Sequence, residues 1–548
     1  MERRVLIAAI ISLAIAVLYQ EFVMKRFLLP PNATAPTVAE PPAALPPTAE
    51  APQAANAPAA PAPGPEVAAP PSITGTDVVV DTELYTAVFT TAGARLKSMQ
   101  LKDYATAVSP GSPPLQMVQY PVEAKLPLGI AVRGGQSLPT LSDSAVQYRA
   151  DRDRIEIPAN GSGSITFTGE LGSAAVTKRI EMRGDSYEWA LDASLSSPPA
   201  GYTELALGWE EGMNPAGPNA AEVVFDTIVV LQNDKLTRDL FTGLDAGKLI
   251  EGNVTWLAFT GSYFVAAIVP RAEDQNTLRV WEKRTDQTVE AQLLYPPGDF
   301  HAAADLFVGP KVPELLEAAD HKLSKTIDLG FFTIVARPML DGLKLLHRIT
   351  GNWGVAIILL TIIIKVAFYP LTKKSFESMK AMQKLQPEMA KIRERLQDKP
   401  EEMNREIMDL YKRHKVNPLG GCLPMLLQLP VFFGLYSALR NAIALRHAPF
   451  IGWITDLSAP DRLGSIQLPF VAHPGIPVLT LTMGVSMFLQ QWMTPSAADP
   501  QQQRVMMIMP LMFTFMFINF PAGLSLYWLT NNLLTIAQQY SINRTRQR

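Results

Sequence analysis

From Asn352 to Pro370 the chain reads NWGVAIILLTIIIKVAFYP, an apolar run interrupted by a single charge, Lys365. At about 1.5 Å per helical residue it approaches the length needed to cross about 30 Å of hydrocarbon. Four further runs follow: Pro418 to Leu439, with Pro424 and Pro430 inside it, Gly475 to Trp492, Val505 to Phe520, and Ala522 to Gln538. Only Phe520-Pro521-Ala522-Gly523 separates the last two, so they form a helical hairpin with a tight turn. Near the start, Val5 to Tyr19 is apolar and follows Arg3 and Arg4. Pro36 sits directly after the small-residue site Ala33-Thr34-Ala35, which disfavours cleavage, so this run reads as an uncleaved signal anchor.

Loop charges orient the spans. The segment after Pro370 carries Lys373, Lys374, Lys380, Lys384, Lys391, Arg393, Arg395, Lys399, Arg405, Lys412, Arg413 and Lys415, a cytoplasmic signature. Residues 441–474 hold few cations, and the C-terminus ends in Arg544, Arg546 and Arg548. Six spans with both termini in the cytoplasm satisfy every loop. The expected plan is an N-terminal anchor at 1–24 and a five-helix core at 352–371, 417–440, 475–493, 505–520 and 522–540. Residues 441–474 form an extracytoplasmic loop, 494–504 a cytoplasmic one, and 541–548 a basic cytoplasmic tail.

Between anchor and core the texture changes twice. Residues 25–72 are dominated by Pro and Ala, a semi-rigid polyproline-type linker. Residues 73–329 show short alternating runs, such as Ile165 with Phe167 and Tyr187-Trp189-Leu191, broken by turn residues. That pattern predicts an antiparallel β-sandwich closed by a helix. The chain has one cysteine, Cys422, so the domain must rely on its core rather than on disulfides. Residues 330–351 place Phe331, Phe332, Ile334, Val335, Met339, Leu343 and Leu346 opposite Arg337, Asp341, Lys344 and Arg348, as in an amphipathic helix lying in the membrane interface.

Residues 372–416 carry Phe376, Met379, Met382, Leu385, Met389, Ile392, Leu396, Ile407, Leu410 and Tyr411 at three- and four-residue steps. This predicts a two-helix cytoplasmic hairpin, its first arm kinked or restarted at Pro387 and a new helix opened by Pro400 after Asp398-Lys399. Acids interleave with its cations, so the basic face is not a phosphate-tracking stripe and no specific nucleic-acid partner is expected. The net charge of −3 points to no anionic partner either.

Lys365 is the candidate site residue. A lysine deep in a span costs about 2.5–3.5 kcal/mol on insertion scales. Snorkelling of its stem toward the cytoplasmic interface is one account. The other is a polar groove between helices. Thr361 lies one turn earlier on the same face, and Gln428, Gln490, Gln491, Asn519, Asn531 and Asn532 dot the other spans; such residues line shared interhelical surfaces. No nucleotide-binding Gly loop, zinc-ligand cluster or serine elbow appears, and the β domain holds one histidine, His301. The composition therefore calls for no cofactor and no metal, and the reading is not enzymatic. A transporter or channel, the main alternative, predicts internal repeats and broken helices, and the five core spans show no paired halves.

Four stretches carry a resemblance: KVAFYPLTK at 365–373, LQP at 385–387, NPLGGCLP at 417–424 and FPAGLSLY at 520–527. Together they resemble the YidC family of membrane protein insertases, Gram-negative type, whose plan of anchor, linker, periplasmic antiparallel β-sandwich and five-helix membrane core matches nearly the whole chain. The resemblance implies an inner-membrane chaperone and insertase. Its partners are nascent membrane proteins, the lipid bilayer, a Sec-type translocon, and at the cytoplasmic face a ribosome or signal-recognition-particle receptor. It also implies a hydrophilic groove whose single positive charge attracts a client's polar tail. That cation is arginine in most members; here Lys365 holds the position and lacks the planar fork of arginine. Thr361, Tyr527 and Trp528 match client-contacting positions, Trp528 standing where many relatives carry tyrosine. Gln428, Gln490, Asn519 and Asn531 are the polar residues expected to line the groove.

Overall fold

The computed structural model describes residues 75–118, 126–134, 138–212, 225–271, 278–285, 288–414, 416, 423–467, 474–494 and 500–545. The expected anchor and linker, and the 417–422 turn, lie outside the described residues. So does the centre of the 494–504 loop.

Strands occupy the chain from Asp77 to Pro310 in three sheets of five, nine and six strands. Alternation builds them. In Ala174–Arg183, residues Ala174, Val176, Lys178, Ile180 and Met182 point inward, and every second side chain between them points toward solvent. Neighbouring strands are antiparallel throughout, except that Asp77–Asp81 pairs in parallel with Arg154–Glu156. All three sheets feed one apolar core, in which Trp189, Trp209, Trp256, Phe89, Phe167 and Phe259 are fully buried.

Strand alternation forces a lysine into that core. Lys178 is wholly buried and donates to the carbonyls of Gly93 at 2.8 Å and Leu128 at 3.0 Å. Its charge is met by Asp143, which also pairs with Arg95 at 2.9 Å and accepts from Tyr148 at 3.3 Å. A Cβ at Gly129 would lie 2.5 Å from the Arg95 guanidinium, so only glycine leaves room for the cluster. Removing Asp143 would strand two cations away from water, the costly way to break a buried pair.

After the last strand come two short turns, α1 (Pro313–Ala318) and a 3₁₀ turn at Leu323–Thr326, and then α2 (Thr333–Thr350). The bundle follows: α3 (Trp353–Lys384), α4 (Gln386–Arg395), α5 (Pro400–Arg413), α6 (Leu423–Asn441), α7 (Val478–Met493), α8 (Pro500–Phe517) and α9 (Ala522–Thr545). Among the described residues, α3 alone is both long and apolar enough to cross a membrane by itself; Met506–Phe517 is apolar but shorter. Helix α2 packs on the bundle and not on the sheets: Met339, Leu340 and Leu343 share a core with Ile357, Leu435 and Leu439.

One boundary differs from expectation. The helix that forms the expected 352–371 span does not end with it. Helix α3 runs unbroken through Pro370 to Lys384 and supplies the first part of the helical hairpin. A proline costs a helix one hydrogen bond, and membrane helices tolerate that loss. Pro387 and Pro400 do begin new helices, each in the first turn, where a missing N–H is harmless. Met379, Met382, Leu385, Met389, Ile392, Leu410 and Tyr411 then zip the two arms together.

The two halves touch through residues 441–467. Ile443 enters the β-domain core. Arg446 donates to the Ala105 carbonyl at 2.7 Å and lies 5.8 Å over the Phe264 ring.

A second buried lysine, Lys311, sits where the last strand leaves the sheets. It donates to Thr260 Oγ1 at 3.0 Å and the Gly261 carbonyl at 2.8 Å. Burial, aided by Arg238, pulls its pKa down to about 7. The unfolded chain keeps the ordinary lysine affinity and binds more protons between pH 7 and about 10. Stability therefore rises with pH across that window. The urea midpoint of the detergent-solubilised protein, followed by tryptophan fluorescence, is expected to climb from pH 7 to pH 10, and Lys311→Met to remove its part of that climb; an unchanged slope would refute the assignment.

Candidate functional site: a polar seam around Lys365

Helix α3 presents Thr361, Lys365, Phe368, Thr372 and Ser375 at steps of four, three, four and three, which is one helical face. Thr361, Thr372 and Ser375 are buried and Lys365 is half-buried. That face meets α9. Lys365 Nζ donates to Thr535 Oγ1 at 2.8 Å. The Thr535 hydroxyl proton is already committed to the Asn531 carbonyl, 2.7 Å away, so its lone pairs face the ammonium. One turn further, Gln538 donates to Thr372 Oγ1 at 2.7 Å.

Helix α9 uses a second face toward α7. Ser525 meets Thr480 at 3.3 Å, Asn532 donates to Ser486 Oγ at 3.0 Å, and Gln539 donates to Thr494 Oγ1 at 2.9 Å. The α9 members are spaced seven apart. In both sets of contacts residue numbers rise together, so α3, α7 and α9 run parallel. Helix α6 runs against them, since Gln428 bonds Tyr527 while Leu439 approaches Gly523.

Above Lys365, on the side of the β domain, the space is filled. Trp528 lies two turns before Thr535 on α9, about 10 Å along the axis. Its ring centroid is 5.0 Å from that of Phe432, 5.2 Å from Phe517 and 6.1 Å from Phe513. Tyr527 beside it is buried, its hydroxyl taken by Gln428. Farther out, Asp461 is buried at the start of α7, where its carboxylate accepts from Leu479 N at 2.7 Å and Thr480 Oγ1 at 2.9 Å. An anion there also complements the helix dipole.

The electrostatics are one-sided. Helices α6 to α9 contain no Asp or Glu, and α3 contains only Glu377, three turns beyond Lys365. Among the described residues no carboxylate comes within ion-pair distance of Lys365.

The seam gathers only part of the expected set. Lys365 meets Thr535; Asn531, buried one turn before it on α9, takes part through its backbone carbonyl. Thr361 donates to the Ile357 carbonyl of its own helix at 2.7 Å. Gln428, Tyr527 and Trp528 form the packed layer above. Gln490 is half-buried on α7. Asn519 is set apart, holding Arg462 at 3.0 Å in the turn between α8 and α9. Sequence reading missed Thr372, Ser486, Thr535, Gln538 and Gln539. For Gln539 and Thr372 a signal was available in the seven-residue spacing of Ser525, Asn532 and Gln539, and of Lys365 and Thr372.

Comparison with known proteins adds an independent line. The family model described as 60Kd inner membrane protein matches residues 345–548, and the one described as YidC periplasmic domain matches residues 77–341. Proteins named membrane protein insertase YidC align along the chain. That of Syntrophobacter fumaroxidans is 39% identical over 99% of this chain and 100% of its own. That of Pelobacter propionicus is 39% identical over 99% of each, and that of Nitratidesulfovibrio vulgaris is 40% identical over 85% of each.

The parallel packing is open to test. In a Cys422→Ser background, the pair Ser486→Cys and Asn532→Cys is expected to form a disulfide under mild oxidation, and Ser486→Cys with Ser525→Cys is not. A protease site placed in the 494–504 loop makes the cross-link visible on a gel; the opposite pattern would overturn the register.

Proposed function

The chain belongs to the YidC family of membrane protein insertases, inner-membrane proteins that carry a periplasmic domain and act on nascent membrane proteins, and from that premise we propose that Lys365 draws a client's acidic or polar tail into the bundle. The observation that carries the proposal is the ammonium's situation. It is held by one hydroxyl, with no carboxylate within ion-pair distance among the described residues.

Depth supports this reading over snorkelling. Trp353 to Lys365 spans about 18 Å of helix. If hydrocarbon begins at Trp353, about 30 Å of it ends near Thr372, just before Lys373 and Lys374. Lys365 then lies about 10 Å from the inner edge, beyond the reach of its stem, and it turns sideways to Thr535. A client tail arriving from the cytoplasm would have its carboxylates attracted to Lys365. The Trp528 layer stands beyond it as a seal toward the periplasm, and the apolar client helix gains burial against lipid-facing residues such as Val366, Leu511 and Phe433, all exposed. No nucleotide is required, because only part of the bilayer separates Lys365 from either side.

The finer plan belongs to the same proposal. Six spans with cytoplasmic termini agree with the loop charges and with the parallel run of α3, α7 and α9, which alternation requires of the second, fourth and sixth spans. Thr361, Tyr527 and Trp528 are proposed client contacts; Gln428, Gln490 and Asn531 are proposed groove residues. The hairpin α4–α5 is the proposed meeting point for a ribosome or signal-recognition-particle receptor, and a Sec-type translocon a proposed lateral partner.

In a depletion strain following a small client with an acidic periplasmic tail, Lys365→Arg is expected to insert normally. Lys365→Ala and Lys365→Glu are expected to lose insertion about tenfold or more, on the order of the 1.4 kcal/mol that a single lost charge contact represents. Photocrosslinkers at Lys365 and Trp528 are expected to trap a stalled client more strongly than one at lipid-facing Val366. Normal insertion by Lys365→Glu would end the proposal.

A further inference from the structure

Between α6 and α7 the chain makes a short turn at Phe450–Ile454. Phe450 N donates to the Ile454 carbonyl at 2.9 Å, and Gly452 takes φ +64°, a conformation that suits glycine. The turn leaves Ile451 68% exposed and Trp453 38% exposed, while Ile454 and Leu457 behind them are buried in the bundle core. Its position is pinned. Asn352 donates through Nδ2 to the Phe450 carbonyl at 3.0 Å, and the Phe450 ring lies so close to Gly354 that a Cβ there would overlap it. The two bare apolar side chains therefore stand beside the first turn of α3, where the span begins.

A second apolar strip lies at the same end. On α2, Ile334, Pro338, Leu345 and Ile349 are exposed at steps of four, seven and four, one narrow stripe. Arg337, Asp341 and Arg348 flank it on one side, and the helix's opposite face is buried against the bundle. The α2 C-terminus turns through Gly351 into α3, and the His347 ring stacks on Trp353 at 4.0 Å. Helix α2 thus divides into a protein face, an apolar stripe and a charged stripe, the arrangement of a helix seated at a membrane surface.

We propose that the Ile451–Trp453 turn is a membrane-surface anchor, seated in the headgroup–acyl boundary of the outer leaflet and completing with the α2 stripe a collar around the outer end of α3. The occupant follows from continuity. The turn adjoins the residues at which α3 enters hydrocarbon, so the surface next to it is the bilayer surface. Tryptophan favours that boundary, and Arg337 and Arg348 can meet lipid phosphates. The collar sets the depth of Lys365, because α3 is rigid between them. This rests on α3 being a span, and the test separates the two.

In a Cys422→Ser background, Ile451→Cys, Trp453→Cys, Val366→Cys and Leu249→Cys are each labelled with an environment-sensitive nitrobenzoxadiazole dye. The full-length proteins are reconstituted into phosphatidylcholine–phosphatidylglycerol vesicles containing lipids with shallow or deep nitroxides. The labels at 451 and 453 are expected to emit at shorter wavelength than that at 249 on the β domain. Shallow nitroxides are expected to quench them about threefold more than deep ones, and the label at 366 to show the reverse preference. Quenching at both 451 and 453 no greater than at 249 would overturn the anchor while leaving the span intact. Absence of quenching at 366 would overturn the span itself, and the anchor with it. Shielding at 451 that depends on protein concentration and not on lipid would assign the turn to a second copy of the chain and refute the proposal.

Discussion

An ammonium in an apolar stretch of helix, with no carboxylate at its depth, is the constraint from which the bundle follows. It can be kept in an apolar layer only if neighbouring helices supply lone pairs at its depth, and α9 supplies them through Thr535. That obliges α9 to be polar on one side. Its polar residues must in turn find partners, and Thr372 on α3 and Ser486 and Thr494 on α7 provide them. Interhelical hydrogen bonds in membrane proteins are worth only about 0.6 kcal/mol on average. Their role here is to set register among three parallel helices, with the aromatic layer of Phe432, Phe513, Phe517 and Trp528 adding packing above.

The periplasmic domain folds by different physics. Its twenty strands bury a continuous aromatic and aliphatic core. An ionic cluster inside it, Lys178 with Asp143 and Arg95, is tolerated because backbone carbonyls complete its coordination. The domain is not merely tethered. Ile443 and Arg446 reach into it from the membrane-proximal loop, and Asp461 of that same loop caps α7. One segment thus joins the sheets to the start of α7.

Much of this was legible from residue patterns. Period-two runs such as Ala174–Arg183 declared the strands, and Pro387 and Pro400 declared two helix starts. Lys365 stood out by its cost. Two things were hidden. Pro370 looked like a terminus because proline breaks soluble helices, whereas in a membrane helix the apolar surroundings favour keeping the remaining backbone bonds. Asn519 looked like a groove residue because composition alone cannot say at which end of a span a polar group sits; its partner, Arg462, comes from a distant loop. Pairings across sequence, such as Thr535 with Lys365, need three dimensions.

The unbroken course of α3 has a mechanical meaning. Lys365 and the start of the hairpin belong to a single rod of 32 residues, so a load on the hairpin is carried toward the charge along one covalent helix with no interface to slip. The rod has one compliant joint. Pro370 donates no backbone hydrogen bond, so bending stiffness is lowest just below Lys365. Torque on the hairpin α4–α5 is therefore taken up as tilt at the Pro370 end of the seam.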